Sequence, residues 1–547
     1  MKLSKIRKNW WEILLLLVVL VLAGFLRFYQ LGKVPASPDW DEASLGYNAY
    51  SIAKTGRDEY GQAYPFFLRS FGDYKPAVYA YLAILPIKIF GLNLFSIRFP
   101  AAALGTLAVL VVYFLTKELF SQQKRASFLA LTAAFLLAIS PWHLQFSRVA
   151  FESNIGVFFN MVMALFFLKG LKKPWFLVLA AFFAGLNLYV YQAEKIFTPC
   201  LFLAMVFIWH KKLFKMPRRF LILAVMVGLI MISPFVRTIL TTQEVFLRAR
   251  GTSFAADQTP FLARTVEKLS RDYKNRDYLG LILDNRRVTY LVAFVDSYLS
   301  HFDLNWLFIS GDDTRHHAPG VGLLYLWELP FFLLGIYALI FDKKLLKRKF
   351  LIFSWLFLAP IPAAFTSGVP HAVRTLRFLP IMQIFTALGI VVFWSKIKEK
   401  AKLKFLIILI LGGFFVFNFG YFLNQYFVQL NYFTSQAWQY GYQPAIEEIN
   451  KIEGQYKKIV VSNQAPLDQS YIFFLFHLRY DPKTYQQAGG TEKAFGKYVF
   501  KAIDWPNEKK TPEILYVSRP GDFPEEAKVL KVINFLNGEP AMKIVGG

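Results

Sequence analysis

Apolar runs of roughly 16–22 residues recur along this chain and are separated by short segments rich in Lys and Arg. That pattern constrains the fold more than any other feature. A run of this length crosses the ~30 Å hydrocarbon of a bilayer as a helix, with its backbone polar groups satisfied internally. The basic excess, a net charge of +26 over 547 residues, lies largely between the runs. This is the positive-inside pattern of a membrane protein and argues against a nucleic-acid partner. The single cysteine, Cys200, excludes an internal disulfide and a Cys-based zinc cluster. It sits within the apolar run 197–209 and reads as a packed thiol.

Charge parity orders the spans. Residues 1–11 are basic and lead directly into the apolar run 13–28, which imitates a signal peptide. No small-residue cleavage site follows, so an uncleaved first helix with a cytoplasmic N-terminus is expected. The next basic connection, 117–125, belongs inside, which leaves room for one span between the two. Run 97–115 takes that place, and the short run 77–90, with Pro86 and Lys88, reads as interfacial or re-entrant. Alternation then continues through 128–139, 155–168, 175–191, 196–209, 220–235, 321–341, 350–365, 378–394 and 405–423. The expectation is a polytopic α-helical membrane protein with about eleven spans, N-terminus inside and C-terminus outside. It divides into a membrane domain, 1–424, and a soluble extracytoplasmic α/β domain, 425–547. In the latter, Lys458–Ser462 and Ile514–Ser518 read as strands, and 444–452 and 524–529 as helices. A cell membrane, plasma or inner, is the expected location.

The first outer loop, 29–96, carries Asp39-Trp40-Asp41-Glu42 and, thirty residues on, Asp73-Tyr74-Lys75-Pro76. Ionised groups beside a membrane mark a pathway or a reacting site. A carboxylate near a lysine suits a base beside a cation that holds a phosphate. Asp39 reads as solvated. Glu42 either shares in the chemistry or caps a helix starting at Ala43. Arg148 is a second candidate phosphate contact or a local partner of Glu152. Later outer segments add Arg248-Ala249-Arg250-Gly251-Thr252-Ser253, Gly311-Asp312-Asp313-Thr314-Arg315-His316-His317, and His371, Arg374 and Arg377. Arg315, His316 and His317 suit phosphate, acceptor or metal. No metal site is expected of them, because adjacent histidines point apart on any regular backbone. His371 and Arg374 suit a lipid headgroup as well as a reacting substrate. The span interiors look almost free of charge, which favours an enzyme over a transporter or flippase of lipid-linked sugars, the alternative reading.

The ordered motifs carry a resemblance. Asp41-Glu42 after the first span, Lys75-Pro76, Phe90-Gly91 with Arg98-Phe99-Pro100, Ser140-Pro141 with Phe146-Ser147-Arg148, and Gly185 with Tyr189 and Tyr191 occur in sequence. Together they resemble the membrane-embedded GT-C glycosyltransferases, in particular the protein O-mannosyltransferase and lipid A aminoarabinose transferase group. The match is best over residues 20–200. The resemblance implies a GT-C-like fold and inverting transfer of a sugar from a polyprenyl-phosphate donor to a protein, lipid or glycan acceptor. It implies Asp41 as the catalytic carboxylate with Glu42 beside it, and Lys75, then Arg148, on the donor phosphate. The lipid-linked sugar is the donor substrate, and no resident cofactor is implied. Two departures stand out: Ala77 replaces the usual second proline, and Lys195 stands where an arginine is common.

Overall fold

Each apolar run forms a helix in the computed structural model, which describes residues 2–241, 253, 258–343, 345–397 and 401–547. Residues 248–252 of the Arg-rich outer segment lie outside the described residues. Among the described residues, seven helices are long and apolar enough to cross a membrane: Trp10–Phe28, Leu94–Leu119, Glu152–Gly170, Glu194–Leu213, Arg218–Leu240, Leu376–Lys396 and Phe405–Thr434. Arg218–Leu240 and Phe405–Thr434 are almost wholly unburied by protein. Their all-round apolar surface suits lipid rather than a protein core. The remaining expected spans are shorter helices, Ala126–Ile139, Phe176–Asn187, Glu328–Phe341 and Leu346–Leu358, and the expected interfacial segment is the 13-residue helix Val78–Phe90.

Three boundaries differ from the sequence reading. Run 321–341 becomes helical only at Glu328, because its first residues spend their backbone groups elsewhere. Trp142 N donates to Leu323 O (3.0 Å), and Leu324 N donates to Leu307 O (2.8 Å). Run 350–365 stops at Leu358 and resumes as the single turn Ile361–Ala364, since Pro360 and Pro362 cannot continue the hydrogen-bond ladder. The last apolar helix passes residue 424 and continues to Thr434.

Helices Glu328–Phe341 and Ile381–Lys396 cross where Gly335 faces Gly389. A Cβ on Gly335 would lie 1.8 Å from Phe385 O, and one on Gly389 1.8 Å from Phe331 O. Only hydrogen fits at that crossing, the small-residue contact common between membrane helices.

The spans are less free of charge than the sequence suggests. Arg27, Arg98, Glu194 and Arg377 are all buried, each within the first or last turns of a span helix. Arg377 Nε lies 3.3 Å from Glu194 Oε1, and Asn160 Nδ2 donates to Glu194 Oε2 (2.6 Å). Arg27 donates to Ala138 O (3.1 Å) and Leu137 O (3.2 Å). These groups form a buried polar layer at the end of the bundle that bears the first loop. The opposition between charge-free spans and a polar face is therefore one of depth along each helix.

The C-terminal sheet has six strands in the order Ala494–Phe495, Tyr498–Lys501, Lys458–Ser462, Ile514–Ser518, Pro540–Gly546, Val529–Asn534. The central strand Lys458–Ser462 is parallel to both neighbours, and the outer pairings are antiparallel. Helix Tyr442–Ile452 forms as expected. The expected helix 524–529 does not. Its residues make a turn (Ala527 N to Pro524 O, 3.2 Å) and enter the strand Val529–Asn534, whose Val529-Leu-Lys-Val-Ile run favours extended backbone.

This domain seats on the first loop. Buried side chains from helix Trp40–Thr55 and helix Ser470–His477 belong to one core. At their contact a Cβ on Gly46 would sit 2.8 Å from both Phe476 and Ile97. The sheet domain thus packs on the helix that carries the acids.

Candidate active site

Asp39, Asp41 and Glu42 occupy one turn and take three different environments. Asp39 is the N-cap of helix Trp40–Thr55: its backbone is extended and its carboxylate accepts the Glu42 N–H at 2.8 Å. The sequence reading as a solvated acid is corrected, since Asp39 is only 1% exposed. The helix begins at Trp40, three residues before the expected start. Burial, with the charge of Asp41 beside it, pushes the Asp39 carboxyl up to about 7. Arg315 reaches back to it (Nη1 to Oδ2, 3.4 Å) and lies over the Trp40 ring (4.9 Å).

Glu42 turns inward. Arg98 grips it bidentately (Nε to Oε1, 2.9 Å; Nη2 to Oε2, 2.7 Å), and Ala150 N donates to Oε1 at 2.6 Å. Both side chains are fully buried. Arg98 also donates to Pro35 O (2.7 Å) and Ser37 O (2.9 Å), so the pair fastens the loop before the acids to the span behind it.

Asp41 is the outward-facing acid, with its side chain 31% exposed, and it forms an ion pair with Lys75. Lys75 comes from the hairpin Phe67–Ser70/Asp73–Pro76, in which Leu68 pairs with Lys75. Both turn residues have positive φ (Phe71 54°, Gly72 73°), the geometry of a tight two-residue hairpin. Lys75 is 4% exposed and lies 4.8 Å from the Phe71 ring. The result is a buried ammonium presented to a half-exposed carboxylate.

The other expected residues divide between neighbouring positions and structural ones. Arg148 is buried and donates to three carbonyls, Leu26 O (2.7 Å), Arg27 O (3.0 Å) and Val34 O (3.1 Å), with Phe427 4.8 Å from its guanidinium. It ties the end of the first span to the loop. His317 contacts main-chain carbonyls only (Ala318 O, 2.8 Å; Asp312 O, 2.7 Å). His316 bonds Asp312 instead (2.7 Å), so the two histidines do point apart. His371 lies against His316, and Arg374 donates to Thr366 Oγ1 (2.5 Å) and Ser367 O (2.7 Å).

Beside the hairpin lies an apolar groove of about 630 Å³ between helices Phe176–Asn187, Glu194–Leu213 and Arg218–Thr241, lined by Leu177, Leu188, Phe202, Val206, Gly228 and Ile232. Its Leu188 wall joins the hairpin directly, because Tyr189 O accepts Val78 N (3.3 Å) and Gln192 donates to Tyr74 O (2.8 Å). Lys195 stands there over the Phe67 (4.8 Å) and Phe235 (5.4 Å) rings. The sequence flagged Lys195 only as a departure. It carried no signal for Glu59, which is fully buried, bonds Asn48 (3.0 Å), and has its carboxyl pushed up to about 8 by burial.

Comparison with known proteins identifies the fold that carries this arrangement. Residues 74–237 match the family model described as dolichyl-phosphate-mannose-protein mannosyltransferase. ArnT from Cupriavidus metallidurans, solved bound to undecaprenyl phosphate, aligns over 98% of both chains at 12% identity with a TM-score of 0.56. The chain has the GT-C fold. The archaeal oligosaccharyltransferase AglB from Archaeoglobus fulgidus, in complex with an inhibitory peptide and a dolichol-phosphate, aligns over 86% of this chain at 15% identity and a TM-score of 0.52. There the chain spans 64% of the relative's length. No curated protein matches the sequence. The GT-C resemblance read from the sequence is thus matched by a family model and by folds, and the Asp41–Lys75 pair lies on its first loop.

Proposed function

We propose that this protein transfers a sugar from a polyprenyl-phosphate donor to an acceptor hydroxyl or amine on a protein, lipid or glycan, at the extracytoplasmic face and with inversion. The observation that carries the reading is the Asp41–Lys75 pair: a half-exposed carboxylate against a buried ammonium, beside an apolar groove. The prenyl chain lies in the groove, which places the phosphate at the hairpin. Lys75 then exchanges its bond from Asp41 to a phosphate oxygen, with Lys195 at the groove mouth as a second cation. Asp41, released from the lysine, accepts the proton of the acceptor as its oxygen or nitrogen attacks the anomeric carbon. The bond from that carbon to the phosphate oxygen breaks, and the charge gathering on the departing polyprenyl phosphate is held by Lys75. Glu42 and Arg148 act by positioning, since their hydrogen bonds go to Arg98, Ala150 and backbone carbonyls. Arg315, His316 and His371 border the entrance used by the acceptor.

The test uses purified protein in liposomes with radiolabelled polyprenyl-phosphate sugars and envelope acceptors. Wild type should release sugar from the lipid. Asp41→Asn should abolish release while donor still binds, and Lys75→Ala should weaken both donor binding and turnover. Donor that crosses the bilayer uncleaved, equally well in Asp41→Asn, would replace this reading with the flippase.

A further inference from the structure

A second constellation lies apart from the acid–lysine pair and joins two loops distant in sequence. Asp312 and His316 sit on the turn before helix Glu328–Phe341, and His371 on the loop before the span Leu376–Lys396. One potential ligand atom from each of the three lies within 4.8 Å of the others. The side chains of His316 and Asp312 are only 7% and 11% exposed. The two imidazole rings are 4.9 Å apart. His371 Nδ1 is buried and has no hydrogen-bond partner among the described residues, an arrangement that calls for an explanation.

We propose that Asp312, His316 and His371 form a binding site for a divalent transition-metal ion, of which Zn²⁺ is the type. Two imidazole nitrogens and one carboxylate oxygen are a donor set such ions take, whereas Mg²⁺ and Ca²⁺ select oxygen ligands. Three protein ligands leave a fourth position for water or substrate. Coordination at about 2.0–2.2 Å needs the ligand atoms to draw together slightly, within reach of side-chain rotation. Ala372 N already donates to Asp312 Oδ2 at 2.7 Å, an outer contact that orients the carboxylate. His317 is excluded as a ligand because both its nitrogens face backbone carbonyls. The ion replaces the His316–Asp312 hydrogen bond, so its binding releases any proton held between them. By clamping the two loops it fixes Arg315, the neighbour of His316, in its place over Trp40 and against Asp39. This goes beyond the transferase reading and does not depend on it.

The experiment measures metal rather than turnover. Chelator-stripped protein in detergent is titrated with Zn²⁺ by calorimetry and with Co²⁺ by visible absorption. Wild type should bind about one equivalent of Zn²⁺, and Co²⁺ should give the intense bands of low coordination by nitrogen and oxygen. Asp312→Asn and His371→Ala should weaken Zn²⁺ by more than about 100-fold, while His210→Ala, at an exposed histidine elsewhere, should not. X-ray absorption of zinc-loaded wild type should show two imidazoles and one oxygen from protein, which holds even where a variant fails to fold. Absence of stoichiometric Zn²⁺ binding, unchanged affinity in folded His371→Ala, or a first shell lacking two imidazoles would overturn the site.

Discussion

Removing Arg98 isolates Glu42, and the cost follows from the geometry. In the Arg98→Ala variant Glu42 keeps only the Ala150 amide, while its other oxygen loses its partner in a fully buried position. The carbonyls of Pro35 and Ser37 lose their donor as well. Breaking a buried pair by deleting one partner costs about 3–5 kcal/mol, because a charge remains without compensation. Each carbonyl left without a donor adds about 1 kcal/mol unless water enters. The variant should therefore lose about 5–7 kcal/mol. Glu42→Gln keeps the shape and an acceptor oxygen and should lose less. The double variant Glu42→Gln/Arg98→Met carries no isolated charge and should recover part of the Arg98→Ala loss, a coupling visible in a double-mutant cycle. The assay is reversible denaturant unfolding in mild detergent, followed by intrinsic fluorescence. An Arg98→Ala variant within 0.5 kcal/mol of wild type, or two strictly additive single changes, would refute the view of Glu42 as a buried fastening; the threshold is roughly that of a neutral surface change.

Asp39 supplies a pH dependence. Its folded-state value near 7 stands above the ordinary 3.8, so its protonated form is favoured by folding. That contribution is fully present below about pH 4 and is lost as pH rises through about 7. Asp39→Asn keeps an N-cap oxygen but cannot ionise, so its melting midpoint should gain on wild type across that window; a difference constant with pH would count against the buried acid. Gly335→Ala drives a methyl into the Phe385 carbonyl and should destabilise by at least about 1–3 kcal/mol in the same unfolding assay. Lys195→Ala should raise the donor concentration needed for half-maximal turnover. Arg374→Gln, at a residue that does not line the groove and bonds Thr366 and Ser367, should leave that value near wild type in the same liposome measurements.

Much of the architecture was legible before any coordinates. Hydrophobic run length and the placement of Lys and Arg located the apolar helices, since bilayer thickness and backbone satisfaction act on each segment by itself. The strands Lys458–Ser462 and Ile514–Ser518 were equally local. Three of the failures share one cause. Residues 321–327, 359–365 and 524–529 are apolar or helix-prone, but their backbone groups are claimed by distant partners or by proline.

At the site, the residues alone drew attention to the acids of the first loop and to Lys75, because ionised groups beside a membrane are costly without a purpose, and only the family resemblance pointed to Asp41 among them. Sequence did not distinguish the environments of three acids in four residues. Helix geometry did that: one turn points Asp39 at the Glu42 amide, Asp41 at the hairpin and Glu42 at Arg98. Nor did it join His316 to His371, because adjacency along the chain drew attention to His317. Sequence by itself determined the apolar segments, the charge pattern between them and the inventory of reactive groups, all of which depend on neighbours in the chain. The tertiary structure alone decided which charges are buried in pairs and which stay partly exposed, because burial and pairing are set by residues far apart in sequence that converge only on folding.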